Sequence, residues 1–415
     1  MNLFLKPTTL ICCSLVLLLM QSCTKENTTQ ISSRQILVGA LIPISGAGSS
    51  PGAAGFEGLQ LAVNEIQTHL QQYNPSWRFD VQVEDTETDT LVALSKYNKL
   101  KANGIKIIIG PYSSTVLKSL KPHADRDGIL LISPASVASS ITLEGDNVFR
   151  LLPNVTSQGE AMTALLIDDQ IEVIIPLVRN DIWGSELLEA TTQQFSAAGF
   201  TADLAVFYDP AAVDFSGIVE ELSIKLENQL TQTEASKIGI YMLSYGEGYE
   251  FVKAAKELPL FTEVKWYGSS AFAEDQRIIT DYATAVFASE HQLWCPSFGL
   301  DPEAAPIWKP LMQQMEANLN RKPEIFAFTS YDATWLSAKT YLEVQHQAGF
   351  EILKENFVLQ ANQYFGATGW TSLNAAGDRN LAAYDFWGLE TDGNSAKWEN
   401  KAIYNNITKK LTRLD

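Results

Sequence analysis

Residues 36–66 read ILVGALIPISGAGSSPGAAGFEGLQLAVNEI. Ile36, Leu37, Val38, Ala40, Leu41, Ile42 and Ile44 form an apolar run, rich in β-branched residues and too short for a helix with its own caps. That pattern predicts a buried strand. Gly46, Gly48, Ser49, Ser50 and Gly52 follow with no bulky side chain among them. Beyond Pro51, the residues Phe56, Leu59, Ala62, Val63 and Ile66 recur at spacings of three and four, so they share one face of a helix. A loop of this kind sets hydroxyls and backbone N–H groups beside a helix N-terminus, where a negative ligand group is favoured. It is either the first wall of a ligand cleft or a plain connection whose glycines serve only the turn.

The same unit then repeats. Phe79, Val81 and Val83 alternate with polar residues into Glu84-Asp85, which predicts a strand. Residues 90–103 predict a helix with Leu91, Leu94, Tyr97 and Leu100 at regular spacings of three, and Gly104 ends it. Residues 105–109 predict a strand that stops at Gly110-Pro111-Tyr112-Ser113-Ser114-Thr115; a short helix over 116–124, a strand over 129–132 and a serine-rich loop over 133–140 follow. After residues 149–153 the alternation restarts, with helices expected over 160–168, 186–198, 215–230 and 249–258. Strands are expected over 173–178, around Val206 and Phe207, and over 238–243 and 264–267. This alternation argues an α/β chain with parallel sheets covered on both faces, whose ligand crevice lies outside the carboxyl ends of the strands. The remainder is less regular: a strand over 288–293, helices over 307–318, 326–347 and 350–360, then hairpin-like strands over 366–373 and 384–389 turned by Gly377-Asp378.

A chain of 415 residues exceeds what one hydrophobic core serves, so two lobes are expected. The formal charge of −18, with no dense basic cluster, argues against a nucleic-acid partner. Lys6 precedes an apolar run over 10–20 of signal-peptide length, followed by Met20-Gln21-Ser22-Cys23. That tetrapeptide resembles a bacterial lipobox, which implies cleavage before Cys23, lipidation of its sulfur and anchorage to a membrane through the lipid. Residues 24–33 are polar and aperiodic, a tether with a root-mean-square reach of about 17 Å. Cys12 and Cys13 would leave with the leader, so Cys295 remains without an intramolecular partner and reads as a buried, inert thiol. His69, His123, His291 and His346 join no nucleophile elbow, no His-Glu-x-x-His and no Cys-His pair, and the Gly46 loop lacks the Gly-Lys-Ser/Thr of a phosphate-binding loop. No enzyme, cofactor or metal site is expected.

Several ordered motifs carry a resemblance: PISG at 43–46 with Gly58 beyond it, GPYSS at 110–114, SPAS at 133–136, FRLLP at 149–153, DIWG at 181–184, SYDA at 330–333, and GATGWTSL with GDR over 366–379. The chain resembles the type I periplasmic binding fold, and within it the branched-chain amino-acid-binding (leucine-binding-like) solute receptors of ABC importers. The resemblance implies two Rossmann-like lobes joined by three crossover strands, closing on a small ligand by hinge motion. Lobe 1 would take residues 36–153 and 289–375, lobe 2 residues 154–288 and 376–400, with a leader over 1–22, a tether over 23–35 and a C-terminal tail over 401–415. By matching position, Ser114 and the loop of Ala135, Ser136 and Val137 would grip a ligand carboxylate, with Ser49 or Ser50 near the entrance. Trp183 and Tyr245 would supply aromatic contacts from lobe 2, although Trp183 fits a packing role at a lobe edge equally. Two positions depart from the family pattern. Val137 stands where a threonine is common, and Ser269-Ser270 where an acidic residue binds the ligand's ammonium. Glu247, Glu274 or Asp275 would have to compensate, unless they are surface charges; otherwise the ligand is an amide, a carboxylate or a more neutral compound. The expected role is an extracytoplasmic, lipid-anchored solute receptor serving an ABC permease, and the alternative is a regulatory or scaffolding envelope lipoprotein of the same fold.

Overall fold

The computed structural model of the chain describes residues 34–344, 349–380 and 383–414. The leader, Cys23 and residues 24–33 lie outside the described residues, as do residues 345–347 of the helix expected to reach 347. Strand β1 (Arg34–Ile42) begins inside the expected tether and is followed by α1 (Ser49–Tyr73), β2 (Trp77–Asp85), α2 (Thr90–Ala102), β3 (Ile107–Ile109), α3 (Ser114–Asp127), β4 (Leu130–Ser133) and β5 (Val148–Arg150). These strands make a parallel sheet in the order β2-β1-β3-β4-β5. Its central strand β3 is apolar throughout, for a simple cause. Ile107 and Ile109 enter the core on one face while Ile108 enters a second core on the other, so neither side of the pleat meets water.

The second lobe repeats the plan with α4 (Val155–Asp168), β6 (Val173–Arg179), α5 (Ile182–Ala197), β7 (Thr201–Ala202), β8 (Val206–Tyr208), α6 (Ser216–Leu230), β9 (Ile238–Leu243), α7 (Gly248–Ala255) and β10 (Lys265–Tyr267). Its parallel sheet runs β10-β9-β6-β7, with β8 also paired to β6. After α8 (Gln276–Thr280) and α9 (Tyr282–Glu290), β11 (Cys295–Phe298) carries the chain back to the first lobe, where α10 (Ala305–Leu319), α11 (Phe326–Val344) and α12 (Phe350–Gln363) lie. Helix α11 packs on α1 so closely that a Cβ added at Gly58 would sit 1.8 Å from the carbonyl oxygen of Ala327. The short pair β12 (Phe365–Gly366) and β13 (Gly369–Trp370) follows, then β14 (Ala383–Thr391), β15 (Ala396–Asn405) and β16 (Lys410–Arg413).

Three expectations are corrected. Residues 282–290 are helical and the strand starts at Cys295, because Asp281 caps α9 and Thr284, Ala285, Phe287 and Ala288 are buried at helical spacing. The segment 366–373 does not pair with 384–389; β14 instead lies between β11 and β15 in an antiparallel sheet. The residues expected as a tail complete that sheet, with Tyr404 opposite Leu411. Of the residues spaced by three in α2, Tyr97 and Leu100 are buried together with Ala93, while Leu91 is 77% exposed, since a strict spacing of three drifts about 60° per step around a helix.

The crossings are held by a buried ion pair. Arg150, fully buried at the end of β5, donates from Nε to Asp378 Oδ1 at 2.6 Å and from Nη2 to Thr142 Oγ1 at 3.0 Å, and its backbone N–H reaches the Gly377 carbonyl at 2.9 Å. Asp378→Ala would strand the guanidinium without a counter-charge. The expected cost is about 3–5 kcal/mol of unfolding free energy, read by urea denaturation; a loss below about 1 kcal/mol would mean that the pair adds little over the packing around it.

Candidate functional site

The carboxyl ends of both parallel sheets face each other across a cleft of about 1160 Å³. From lobe 1 it is lined by the loop after β1, by Thr88, by Tyr112 to Ser114 and by Ala135 and Val137; from lobe 2 by Gln158, Trp183, the loop after β8, Tyr245 to Glu247 and Ser270. Residues of the crossings, among them Pro153, Phe298 and Tyr384, floor it. Ser49, Ser50, Ser114, Ala135, Val137, Trp183, Tyr245 and Ser270 therefore share one cavity, drawn from positions up to 221 residues apart, as Ser49 and Ser270 are. Ser136 lies behind the wall: its hydroxyl shares a 2.9 Å hydrogen bond with that of Ser114.

On lobe 1, the sheet ends at β3 and the chain turns directly into α3, so Ser114 stands in the first turn of a helix. Its hydroxyl also accepts the Ala138 N–H at 3.3 Å, and Ser113, the residue at the helix cap, makes no side-chain cap bond. The Ser133 hydroxyl accepts the N–H groups of Ala135 (3.4 Å) and Ser136 (2.9 Å), which fixes the serine-rich loop in place. The Val137 carbonyl accepts from Val155 at 2.8 Å and ties that loop to the first helix of lobe 2.

On lobe 2, Asp181 caps α5 by accepting the Gly184 N–H at 2.9 Å, and this places Trp183 in the first turn, nearly buried. The Trp183 and Tyr245 rings meet at 4.8 Å and 50°. Behind Tyr245, 4.2 Å from its ring centre, lies the guanidinium of Arg179. Arg179 bonds Asp181 at 2.7 Å and pairs with Glu247, which also accepts from the Tyr208 hydroxyl at 2.9 Å. Burial alone would weaken the charge on Arg179; the carboxylates of Glu247 and Asp181 hold it more firmly protonated than usual. The Ser270 hydroxyl donates to Gln158 Oε1 at 2.7 Å.

Sequence reasoning missed Gln158, Arg321 and Glu324. A glutamine within a helix gives no signal of its own, and the Arg321–Glu324 pair joins the site only because Arg321 Nη2 donates to the Ser50 carbonyl at 3.0 Å and Ser50 donates to Glu324. Of the acidic residues considered as compensating charges, Glu247 and Asp275 line the cleft, whereas Glu274 is turned to Lys322 at 3.0 Å. Among the described residues, no cluster of His, Cys, Asp and Glu could hold a metal ion, and no helix is long and apolar enough to cross a membrane. Cys295 is a buried free thiol, and burial pushes its ionisation up.

A family model described as the receptor family ligand binding region matches residues 56–392. An uncharacterized protein of Methanocaldococcus jannaschii is 26% identical over 412 residues, covering 94% of this chain and 95% of its own length. A solved leucine-binding protein of Thermotoga maritima superposes with a TM-score of 0.74 at 17% identity, over 90% of this chain and 99% of its own. A solute-binding protein of an ABC transporter from R. palustris, solved with benzoate, gives 0.72 at 19% identity over 88% and 96%. The solved structures share the fold, two lobes with parallel sheets.

Glu274 makes the lobes' contact sensitive to pH. Burial pushes its carboxyl up to about 7 against the pull of Lys322, and the nearby carboxylates of Glu324 and Asp385 push the same way. Since its ordinary value is 4.5, the folded chain binds more protons here than the unfolded chain between about pH 4.5 and 7, and this site's contribution to stability falls as pH rises through that window. Glu274→Gln removes the titration. Urea unfolding across the window is expected to show a shallower decline for the variant than for the wild type, and parallel declines would mean that Glu274 titrates alike in both states.

Proposed function

This chain belongs to the family of receptor ligand-binding regions and has the type I periplasmic binding fold, and from that premise we propose that it is an extracytoplasmic, lipid-anchored solute-binding protein. In this reading it captures a small polar ligand, an amino acid, amide or related carboxylate, between its lobes and delivers it to an ABC importer. The observation that carries the reading is the cleft of about 1160 Å³ at the facing sheet ends, with a hydroxyl-lined helix end on one wall and an aromatic pair on the other. A volume of that order suits a small-molecule site. Ser114 and the first turn of α3 offer neutral donors to a carboxylate without burying a full ion pair, while Trp183 and Tyr245 cover the ligand's apolar body. A cleft filled by the two aromatic side chains would have favoured the scaffolding alternative. The lipid anchor rests on Met20-Gln21-Ser22-Cys23 alone.

A thermal-shift screen of the purified chain against amino acids, amides and organic acids tests the receptor role. A ligand at a hundred times its dissociation constant adds about 2.7 kcal/mol by mass action. Ser114→Ala and Trp183→Ala are expected to lose that increment. The readout is the ligand-induced shift, because Trp183→Ala destabilises the unliganded chain on its own account, by about 3–5 kcal/mol of unfolding free energy for a buried tryptophan. Full increments in both variants would remove these two contacts, and silence across the library would promote the scaffolding alternative.

The anchor is tested separately by detergent phase partition of the expressed chain. Cys23→Ser should move it from the detergent phase to the aqueous phase; an unaltered partition would rule out lipid on Cys23.

A further inference from the structure

A zwitterionic amino acid carries two charges, and a cleft that closes over it must answer both, because an unpaired charge taken out of water is costly. The helix end and hydroxyls of lobe 1 suit a carboxylate. An ammonium needs a free carboxylate on the inner cleft, and among the described residues each inner carboxylate already holds an arginine. Glu247 pairs with Arg179 and accepts from Tyr208. Asp275 takes Arg277 through Nε at 3.1 Å and Nη2 at 2.6 Å. Glu324 pairs with Arg321 and accepts from Ser50. Asp214 and Glu250 also line the cavity, but both are exposed at its mouth, where water screens them.

A ligand ammonium would therefore have to compete with an arginine for its carboxylate. The guanidinium of Arg179, whose side chain is 8% exposed, would then give up one of its two carboxylates and keep only Asp181, at 2.7 Å, beneath the Tyr245 ring. What the second lobe does offer is uncharged. Ser270 and Gln158 are hydrogen-bonded to each other, and the Gln158 side chain, 2% exposed, retains an Nε2 without a partner among the described residues. Beside them stand the rings of Trp183 and Tyr245.

We infer that the ligand is a carboxylate without an ammonium group, with an aromatic or branched apolar body seated against Trp183 and Tyr245. This rests on the receptor reading above and narrows it: α-amino acids are the disfavoured members of the ligand class. Ser270 and Gln158 are the residues that set the preference, since they line the second-lobe wall with neutral polar groups that can meet a carboxylate or an apolar body but supply no charge to an ammonium.

Isothermal titration calorimetry of the purified chain with matched pairs tests this directly, using L-phenylalanine against 3-phenylpropionate and L-leucine against 4-methylpentanoate. The deaminated member of a pair is expected to bind at least about tenfold tighter. An amino acid that binds as tightly as its partner, or more tightly, overturns the inference and leaves the receptor role standing. Silence from both pairs while the broad screen yields a different ligand also overturns the inference alone; silence everywhere overturns the receptor role and the inference with it. Ser270→Asp supplies the missing charge and is expected to reverse the order within a pair. Ser270→Asn, of the same size and uncharged, is expected not to reverse it. A Ser270→Asp chain that melts like the wild type yet keeps its order of affinities counts against the inference, and a Ser270→Asp chain that does not fold leaves the wild-type pairs to decide it.

Discussion

Two adjacent residues, Asp378 and Arg379, bring the three crossings between the lobes to one point. Asp378 neutralises Arg150 at the end of β5, and the Thr142 hydroxyl bonds the same carboxylate oxygen at 2.9 Å. Arg379 reaches the Leu151 carbonyl at 3.3 Å, both oxygens of Thr368 at 2.6 Å, and lies 4.7 Å over the ring of Phe298 in β11. Burial lowers its ionisation to about 10 against the pull of Asp332, which itself accepts the N–H groups of Ala367 and Thr368 at 2.7 and 2.9 Å. Charges this deep persist only while every partner is in place. The point where the lobes join is consequently specified by polar geometry, where a purely apolar contact would tolerate sliding.

That specification reaches the site through the loop after β4. Arg150 also donates to the Ala138 carbonyl, Ala138 donates to the Ser114 hydroxyl, and Ser114 shares a hydrogen bond with Ser136. The wall that would meet a carboxylate is thus fastened to the crossing by a continuous chain of hydrogen bonds. Across the cleft, Ser140 donates from its backbone N–H and its hydroxyl to Glu186 on α5, so the same loop also touches lobe 2. Parallel topology made this possible. It gathers the loops that follow the strands at one edge of each sheet, where neighbouring side chains come from distant parts of the sequence.

What could be read from the sequence is what local period and local composition encode. Ile107 to Ile109, buried on both faces, are apolar without alternation; Ser114, Trp183 and Tyr245 follow strands and so had to lie near a strand end. What could not be read depends on partners far along the chain. Arg179 and Glu247 are separated by 68 positions, and neither residue type announces a buried pair. Residues 288–293 misled because a few apolar residues fit a strand or the end of a helix equally, and the deciding element, the Asp281 cap, lay upstream of the window. The C-terminal residues misled for a related reason: Lys401, Lys409, Lys410 and Arg413 make residues 401–415 look like a solvated tail, but a sheet with one wet face carries charges there while Ala402 and Tyr404 turn inward.

The distribution of charge across the cleft follows from the same long-range pairing. Arg179 comes from the end of β6, Glu247 from the loop after β9, Arg277 and Asp275 from the start of α8, and Arg321 and Glu324 from the segment before α11. Each pair closes within its own lobe or crossing, so the inner carboxylates are already engaged with arginines, while Asp214 and Glu250 are exposed to solvent. In a low-dielectric cleft an ion bound there gains only from groups whose charge is not already spent on a neighbour. The binding capacity left over is that of hydroxyls, amides, a helix end and two aromatic faces, and those groups discriminate by shape and by hydrogen-bond geometry where a free ion would discriminate by charge.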